Sequence, residues 1–212
     1  MTAPVSTSAD LRTVLDAIMA GFAQVPDDGW GRPAHGLDWD CRDTAGHLLD
    51  DFGFYAMNLA GRVPPQDDYI DLLEPAPWQP GSPPIVFWPD PAKGTEAIVR
   101  CVDAVGGLLV AVTATAPAGR VGYHPRGNAD ASGFAAMGIV EGAAHAWDVL
   151  TAQGIDFRIE DEVTERVLHR LFRGAVRTDD AWHDFLTATG RTDDTRDRPW
   201  TWDSSVREDY GD

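Results

Sequence analysis

An apolar stripe at helical spacing between residues 129 and 153 constrains the fold of this chain more than any other feature. Apolar residues recur three or four positions apart, and Gly154 follows as a helix stop. Glu141 and His145 lie inside this stripe, and their four-residue spacing places both side chains on one face, one turn apart. A carboxylate and an imidazole are costly inside a core unless they are satisfied, and a divalent metal ion satisfies both. We therefore interpret this segment as a core helix that ligates a metal.

The spacing alone is weak evidence, because most Glu-x-x-x-His pairs are exposed helical contacts. His47, on a second predicted helix, is a third candidate ligand. It flanks the apolar face of that helix, so a boundary histidine hydrogen-bonded to Asp51 is an alternative. In the interior it would complete a set of two imidazoles and one carboxylate with Glu141 and His145. Three protein ligands leave positions open for water and substrate, which is typical of a catalytic metal site.

Helical periodicity predicts three more long helices. The first is capped by Ser8 or Asp10 and contains apolar residues as far as Phe22, and the second follows an Asp40 N-cap to about Leu59. The third covers about residues 93–116. A loop at residues 63–91 contains most of the 15 prolines and connects the second helix to the third. These elements predict an all-α fold, a four-helix bundle with long crossover loops.

The pattern changes after Gly154. Residues 161–177 read as a charged amphipathic helix, residues 180–188 as a short helix, and Trp200 and Trp202 as anchors of a polar tail. We therefore expect a metal-binding bundle over residues 1–154 and a small helical C-terminal extension over residues 155–212.

Composition limits the function. The chain has 212 residues, 43% of them hydrophobic, and a formal net charge of −17, which disfavours nucleic acid and anionic membranes as partners. Two cysteines do not form a disulfide framework in a chain of this length, and the first residues lack the pattern of a signal peptide. A cytoplasmic protein that acts on small molecules is the expectation.

A second loop carries Tyr123, His124 and Arg126 shortly before the metal-ligating helix. His124 is a candidate pocket residue or fourth ligand, and a loop histidine without a role is the alternative. Tyr123 and Arg126 are candidate anchors for a carboxylate or carbonyl of a substrate. The crossover loop adds three aromatic residues that could shape an apolar pocket: Trp78, Phe87 and Trp88.

Two segments carry a family resemblance. One runs from Gly29-Trp30 to Trp39 and through Asp40-Cys41-Arg42-Asp43-Thr44-Ala45-Gly46-His47-Leu48-Leu49, and the other is Glu141-Gly142-Ala143-Ala144-His145-Ala146-Trp147-Asp148. Together they resemble the two metal-ligand regions of the DinB-like superfamily, and more closely the mycothiol-dependent maleylpyruvate isomerase family of actinobacteria. The resemblance covers about residues 8–154. Thr189-Gly190-Arg191 faintly resembles a Thr-Gly-Arg ending of that family, without an assigned role.

The resemblance implies that His47, Glu141 and His145 hold a divalent metal, most simply Zn²⁺, in a four-helix bundle. It also implies an isomerase or thiol transferase that uses mycothiol as a cosubstrate on a small electrophilic substrate. A thiol-independent metal-dependent hydrolase or lyase requires the same ligands, and a non-catalytic small-molecule binding protein is a third possibility. A homodimer is plausible for such a bundle.

Overall fold

The computed structural model describes residues 5–72, 76–77, 79–195 and 199–206. Within these ranges the regular structure is helical, with two isolated β-bridges and no extended strand, which confirms the all-α prediction. The helices are α1 (Ser8–Phe22), α2 (Cys41–Ala60), α3 (Gly94–Cys101), α4 (Gly107–Thr115), α5 (Ala131–Ala152), α6 (Asp161–Leu171) and α7 (Ala181–Ala188).

The bundle core forms where α1 and α2 each pack against both α4 and α5. Helix α5 is buried along most of its length because small residues, chiefly alanine and glycine, alternate with larger apolar ones. It also contacts α6, so it lies at the centre of the molecule. The predicted metal ligands of α5 are therefore carried by the most enclosed helix.

Local sequence explains the helix ends. Thr7 caps α1, and Asp10, one of the two predicted caps, is instead the third helical residue and bonds back to the Thr7 N–H. Asp40 caps α2 as predicted, its Oδ1 accepting a hydrogen bond from the Asp43 N–H at 2.7 Å. The predicted helix over residues 161–177 was too long, because apolar periodicity ends at Phe172 and the backbone leaves the helical region there.

The third predicted helix is continuous but not uniform. A π-helical segment, Val102–Gly106, connects α3 to α4. The helical stretch Pro91–Thr115 is long and apolar enough, by length and composition alone, to cross a membrane, with 28% of its most apolar window buried. Core helices pass the same test, and Ile98, Val102 and Leu109 face the bundle core. The expectation of no membrane partner stays a prediction.

The crossover loop lies against α2, where Gly53 leaves room for the ring of Phe87. Trp88 packs near Gly46, one residue from His47. Trp78, the third aromatic residue of the predicted apolar pocket, lies outside the described residues. The loop therefore covers the α2 face next to a predicted ligand.

The C-terminal extension is joined to the bundle by partly buried polar contacts from α6 and by aromatic contacts from the tail. Arg166 forms a bidentate ion pair with Asp10, with nitrogen–oxygen distances of 2.6 and 3.1 Å. The tail returns to the second loop, where the ring of Trp202 stacks on His124 at 5.8 Å, as expected for an anchoring residue. The division at residue 154 stays a prediction.

Gly122 allows the second loop to sit directly on α2. A Cβ at this position would clash with the carbonyl oxygen of Asn58, and Gly122 also exchanges backbone hydrogen bonds with Ala129 at 2.9 Å. We predict that Gly122→Ala lowers the free energy of unfolding by about 1–3 kcal/mol, because backbone cannot yield as a flexible side chain can. Chemical denaturation measures this change.

Gly174→Ala is the matched control, since a Cβ there meets nothing within 4 Å. Its free energy of unfolding should stay within about 0.5 kcal/mol of the wild type. Equal stability of the two variants would show that the close approach at Gly122 does not hold the loop.

Candidate metal centre

The three predicted metal-ligating side chains meet at one place, and a fourth joins them. His47 and Asp51 extend from α2, one turn apart, and face Glu141 and His145 from α5. One potential ligand atom from each of the four residues lies within 4.8 Å of the others. The bundle thus brings together two pairs with the same four-residue spacing, one from each helix.

The ring nitrogens already face the carboxylates. Nε2 of His47 is 3.4 Å from Oδ2 of Asp51, and Nε2 of His145 is 3.3 Å from Oε2 of Glu141. The rings of His47 and His145 are 5.1 Å apart. Glu141 and His145 are each 6% exposed, whereas the side chains of His47 and Asp51 are 29% and 18% exposed, so the cluster is buried on the α5 side and partly open on the α2 side.

The arrangement fits a divalent cation. Asp51 Oδ2 is buried and receives no hydrogen bond, which is costly for a carboxylate oxygen unless a cation neutralises it. Two imidazoles and two carboxylates are donors that zinc and similar divalent ions accept. The described residues could therefore hold such an ion between α2 and α5.

The pKa values of the clustered residues also favour a bound cation. Burial, together with the charge of Glu141, raises the pKa of Asp51 well above its usual range. Burial and the proximity of His145 lower the pKa of His47 to about 4. Burial opposes protonation of His145, but hydrogen bonds to Asp148 and Glu141 outweigh it and raise its pKa to about 9. Protons thus compensate the crowded carboxylates, a role that a divalent cation could take over.

Asp148 orients His145 from the opposite side. Its Oδ2 lies 3.1 Å from Nδ1 of His145, which directs Nε2 towards the cluster. Arg191 holds the same carboxylate with two hydrogen bonds, from Nε at 2.9 Å and from Nη2 at 2.6 Å. Asp148 is 1% exposed and the Arg191 side chain 6% exposed, so this ion pair is shielded from solvent.

Arg191 gives the Thr189-Gly190-Arg191 segment a structural role. The segment follows α7, and Gly190 has a positive φ of 72°, in the region that favours glycine. The guanidinium also lies over the ring of Trp200, 5.2 Å from its centre. The C-terminal extension therefore reaches the candidate site through Arg191.

A cavity of about 420 Å³ adjoins the cluster. Asp51 lines it, as does Tyr55, which is 3% exposed and hydrogen-bonded to Glu141. Burial and the nearby carboxylates of Glu141 and Asp51 raise the pKa of Tyr55 well above its usual range, so the phenol keeps its proton. A smaller cavity of about 120 Å³ lies on the other side of His145, beside Arg191.

The residues of the second loop lie near the cluster but outside it. His124 is 5% exposed, its ring is 5.6 Å from that of Tyr55, and burial lowers its pKa to about 4. Its Nδ1 accepts a hydrogen bond from the Arg126 N–H at 3.1 Å. Tyr123 contacts Tyr69, whereas the Arg126 side chain is exposed. His124 is not among the four clustered residues, and roles for Tyr123, His124 and Arg126 stay predictions.

The all-α bundle and the His/Asp/Glu cluster together define a helical-bundle domain with a possible site for a divalent metal. The family described as mycothiol maleylpyruvate isomerase N-terminal domain matches residues 11–150, and the chain belongs to this family. The DinB-like resemblance is thereby confirmed. No curated protein and no solved structure is significantly similar to the chain. Arg191 lies outside the matched residues.

We predict that Arg191→Ala weakens zinc binding by about 10- to 100-fold, because Asp148 loses its buried partner and no longer fixes the His145 ring. Competition with a chromophoric chelator measures the dissociation constant. Arg173→Ala is the matched control, since Arg173 is a half-exposed residue that pairs with Asp203 at 3.3 Å in the same region. Unchanged zinc affinity in Arg191→Ala would contradict an orienting role.

Proposed function

We propose that this protein is a metal-dependent enzyme that uses a low-molecular-weight thiol, mycothiol in the first instance, to isomerise or S-conjugate a small electrophilic substrate. One observation carries the proposal: a largely buried two-histidine, two-carboxylate cluster adjoins a cavity large enough for a small molecule. Membership of a family named for a mycothiol-dependent isomerase supports the thiol and the isomerase chemistry.

His47, Glu141 and His145 are the proposed ligands, and Asp51 is a fourth candidate. Their nitrogen and oxygen donors suit Zn²⁺, which we propose as the ion. When bound, such an ion supplies Lewis acidity that lowers the pKa of a thiol or of water. Asp148 and Arg191 would keep the His145 ring in position.

The proposed reaction begins when the sulfur electron pair forms a C–S bond to the electrophilic carbon. The π electrons of the substrate double bond move onto its carbonyl oxygen. Rotation about the resulting single bond, followed by return of those electrons and expulsion of the sulfur, gives isomerisation. If carbon takes a proton instead, an S-conjugate results. Tyr55 remains protonated beside the cavity and hydrogen-bonds to Glu141, so we propose that it positions this ligand carboxylate at the cavity wall.

Second-loop residues are proposed to complete the substrate side of the site. His124 lies beside Tyr55, and Tyr123 beside Tyr69, both of which line the cavity. Arg126 is proposed as an anchor outside the cavity lining. A cytoplasmic location and a homodimer stay predictions.

Metal content tests the proposed ligand set. Protein purified without chelator or immobilised metal should contain about one divalent ion per chain. His145→Ala should lose most of it, because removal of one ligand also leaves Glu141 without its imidazole partner, and Asp51→Asn should weaken retention. His183→Ala, a change at an exposed histidine of α7, should leave the metal content unchanged. Mass spectrometry of the digested protein quantifies the ion.

A wild type that remains metal-free after incubation with zinc would overturn the metalloenzyme proposal. Equal loss in His145→Ala and His183→Ala would place the ion elsewhere.

Thermal protection distinguishes thiol use from thiol-independent chemistry. With the zinc-loaded protein, mycothiol should raise the unfolding temperature by a few degrees, because a ligand that binds only the folded state stabilises it. The S-methylated form of mycothiol is the control, since it lacks the ionisable sulfur and should protect less. Equal protection by both would argue against direct use of the sulfur. No protection by any thiol, with zinc bound, would favour a metal-dependent hydrolase or lyase.

A further inference from the structure

The charges that line the cavity beside the cluster indicate which class of substrate it can accept. This inference rests on the proposed function. Four carboxylates line it: Asp50, Asp51, Asp68 and Asp71. No lysine, arginine or histidine is among its described lining residues. The cavity reaches the metal cluster itself, because Asp51 is one of its lining residues and accepts no hydrogen bond at its buried Oδ2, which faces His47.

These carboxylates lie at different depths. Asp68 and Asp71 are exposed on the crossover loop at the mouth of the cavity. Asp50 is partly buried, and its Oδ1 accepts hydrogen bonds from the N–H groups of Val86 and Phe87 at 2.7 and 3.2 Å. Asp51, at the inner end, is compensated by a proton or by the proposed ion, so an approaching anion would meet the negative charge of Asp50, Asp68 and Asp71.

Burial, more than any neighbouring charge, raises the pKa of Tyr69 on the cavity wall to about 12, so its phenol keeps its proton. The Arg126 side chain is exposed. Arg126 does not line the cavity, so it does not reverse the sign of its charge.

The remaining walls are apolar or aromatic. The rings of Phe54 and Tyr69 stand edge to face, 6.0 Å apart, and Tyr55 lies deeper. Ring faces attract cations and bury the apolar body of a ligand. Aromatic walls combined with carboxylates are the chemistry that recognises an organic cation or a neutral apolar molecule.

We propose that the substrate occupying this cavity is a neutral or cationic molecule with an apolar body, and that the cavity selects against carboxylate-rich substrates. Maleylpyruvate, which the family is named for, carries two carboxylates and would be disfavoured here. The electrophile of this enzyme therefore belongs to a different substrate class from the one the family name indicates.

Binding of matched probes tests the proposal. Phenyltrimethylammonium, methyl phenyl sulfone and benzenesulfonate share a benzene ring, differ in charge and are all weak zinc ligands. Titration calorimetry on the zinc-loaded protein at low ionic strength should give roughly tenfold tighter binding of the cation than of the anion, with a difference that shrinks in salt. Equal or tighter binding of benzenesulfonate would overturn the proposal, and so would no binding of any probe.

The whole protein is acidic, so a local effect must be separated from net charge. Asp68→Asn removes one lining carboxylate, whereas Asp67→Asn removes the same charge from an exposed neighbour that does not line the cavity. The cation-to-anion preference should fall about threefold in Asp68→Asn and remain unchanged in Asp67→Asn. Equal effects of the two variants would attribute the preference to net charge and overturn the proposal.

Failure of the proposed function is a separate outcome. The same titrations on zinc-free protein should retain the cation preference, because the lining carboxylates belong to the chain. A wild type that fails to bind added zinc but still prefers the cation would contradict the metalloenzyme while supporting the cavity assignment. A protein that binds zinc but binds the sulfonate as tightly as the cation would contradict the cavity assignment and leave the metalloenzyme proposal standing.

Discussion

Two imidazoles and two carboxylates meet inside an apolar helical core, and much of the surrounding structure depends on how their burial is tolerated. Glu141 and Asp51 lie too close to carry two negative charges in the absence of a compensating cation. His145 compensates part of this negative charge. Asp148 holds the His145 ring by a hydrogen bond, and Arg191 in turn holds Asp148. A bound divalent ion would complete this chain of compensation, which is why we place the chemistry here.

The fold was largely predictable, because the three- and four-residue spacing of apolar residues identifies long amphipathic helices. Asp40 and Gly154 marked the start of α2 and the chain reversal after α5. Errors occurred at boundaries that the local sequence marks only weakly. The π-helical segment Val102–Gly106 leaves the apolar period almost unchanged, and α6 ends at Leu171 although charged residues compatible with a helix follow.

The candidate site was predictable where its residues share a helix. Glu141 and His145 stood out because they interrupt an apolar stripe. Asp51 had a usable signal, the same four-residue spacing from His47, but that spacing also suits an ordinary surface hydrogen bond. Arg191 had no local signal that identified its partner, because Asp148 is 43 positions away and only folding brings the two together. The charge of the cavity likewise emerges only when the crossover loop is placed against α2.

Crystallography of the zinc-loaded protein, with diffraction data collected on both sides of the zinc absorption edge, tests the central claim most directly. We predict one anomalous peak between α2 and α5, within about 2.0–2.2 Å of Nε2 of His47 and His145 and of at least one carboxylate oxygen of Glu141 or Asp51. A peak at Cys41 or Cys101, or none near His145, would contradict it.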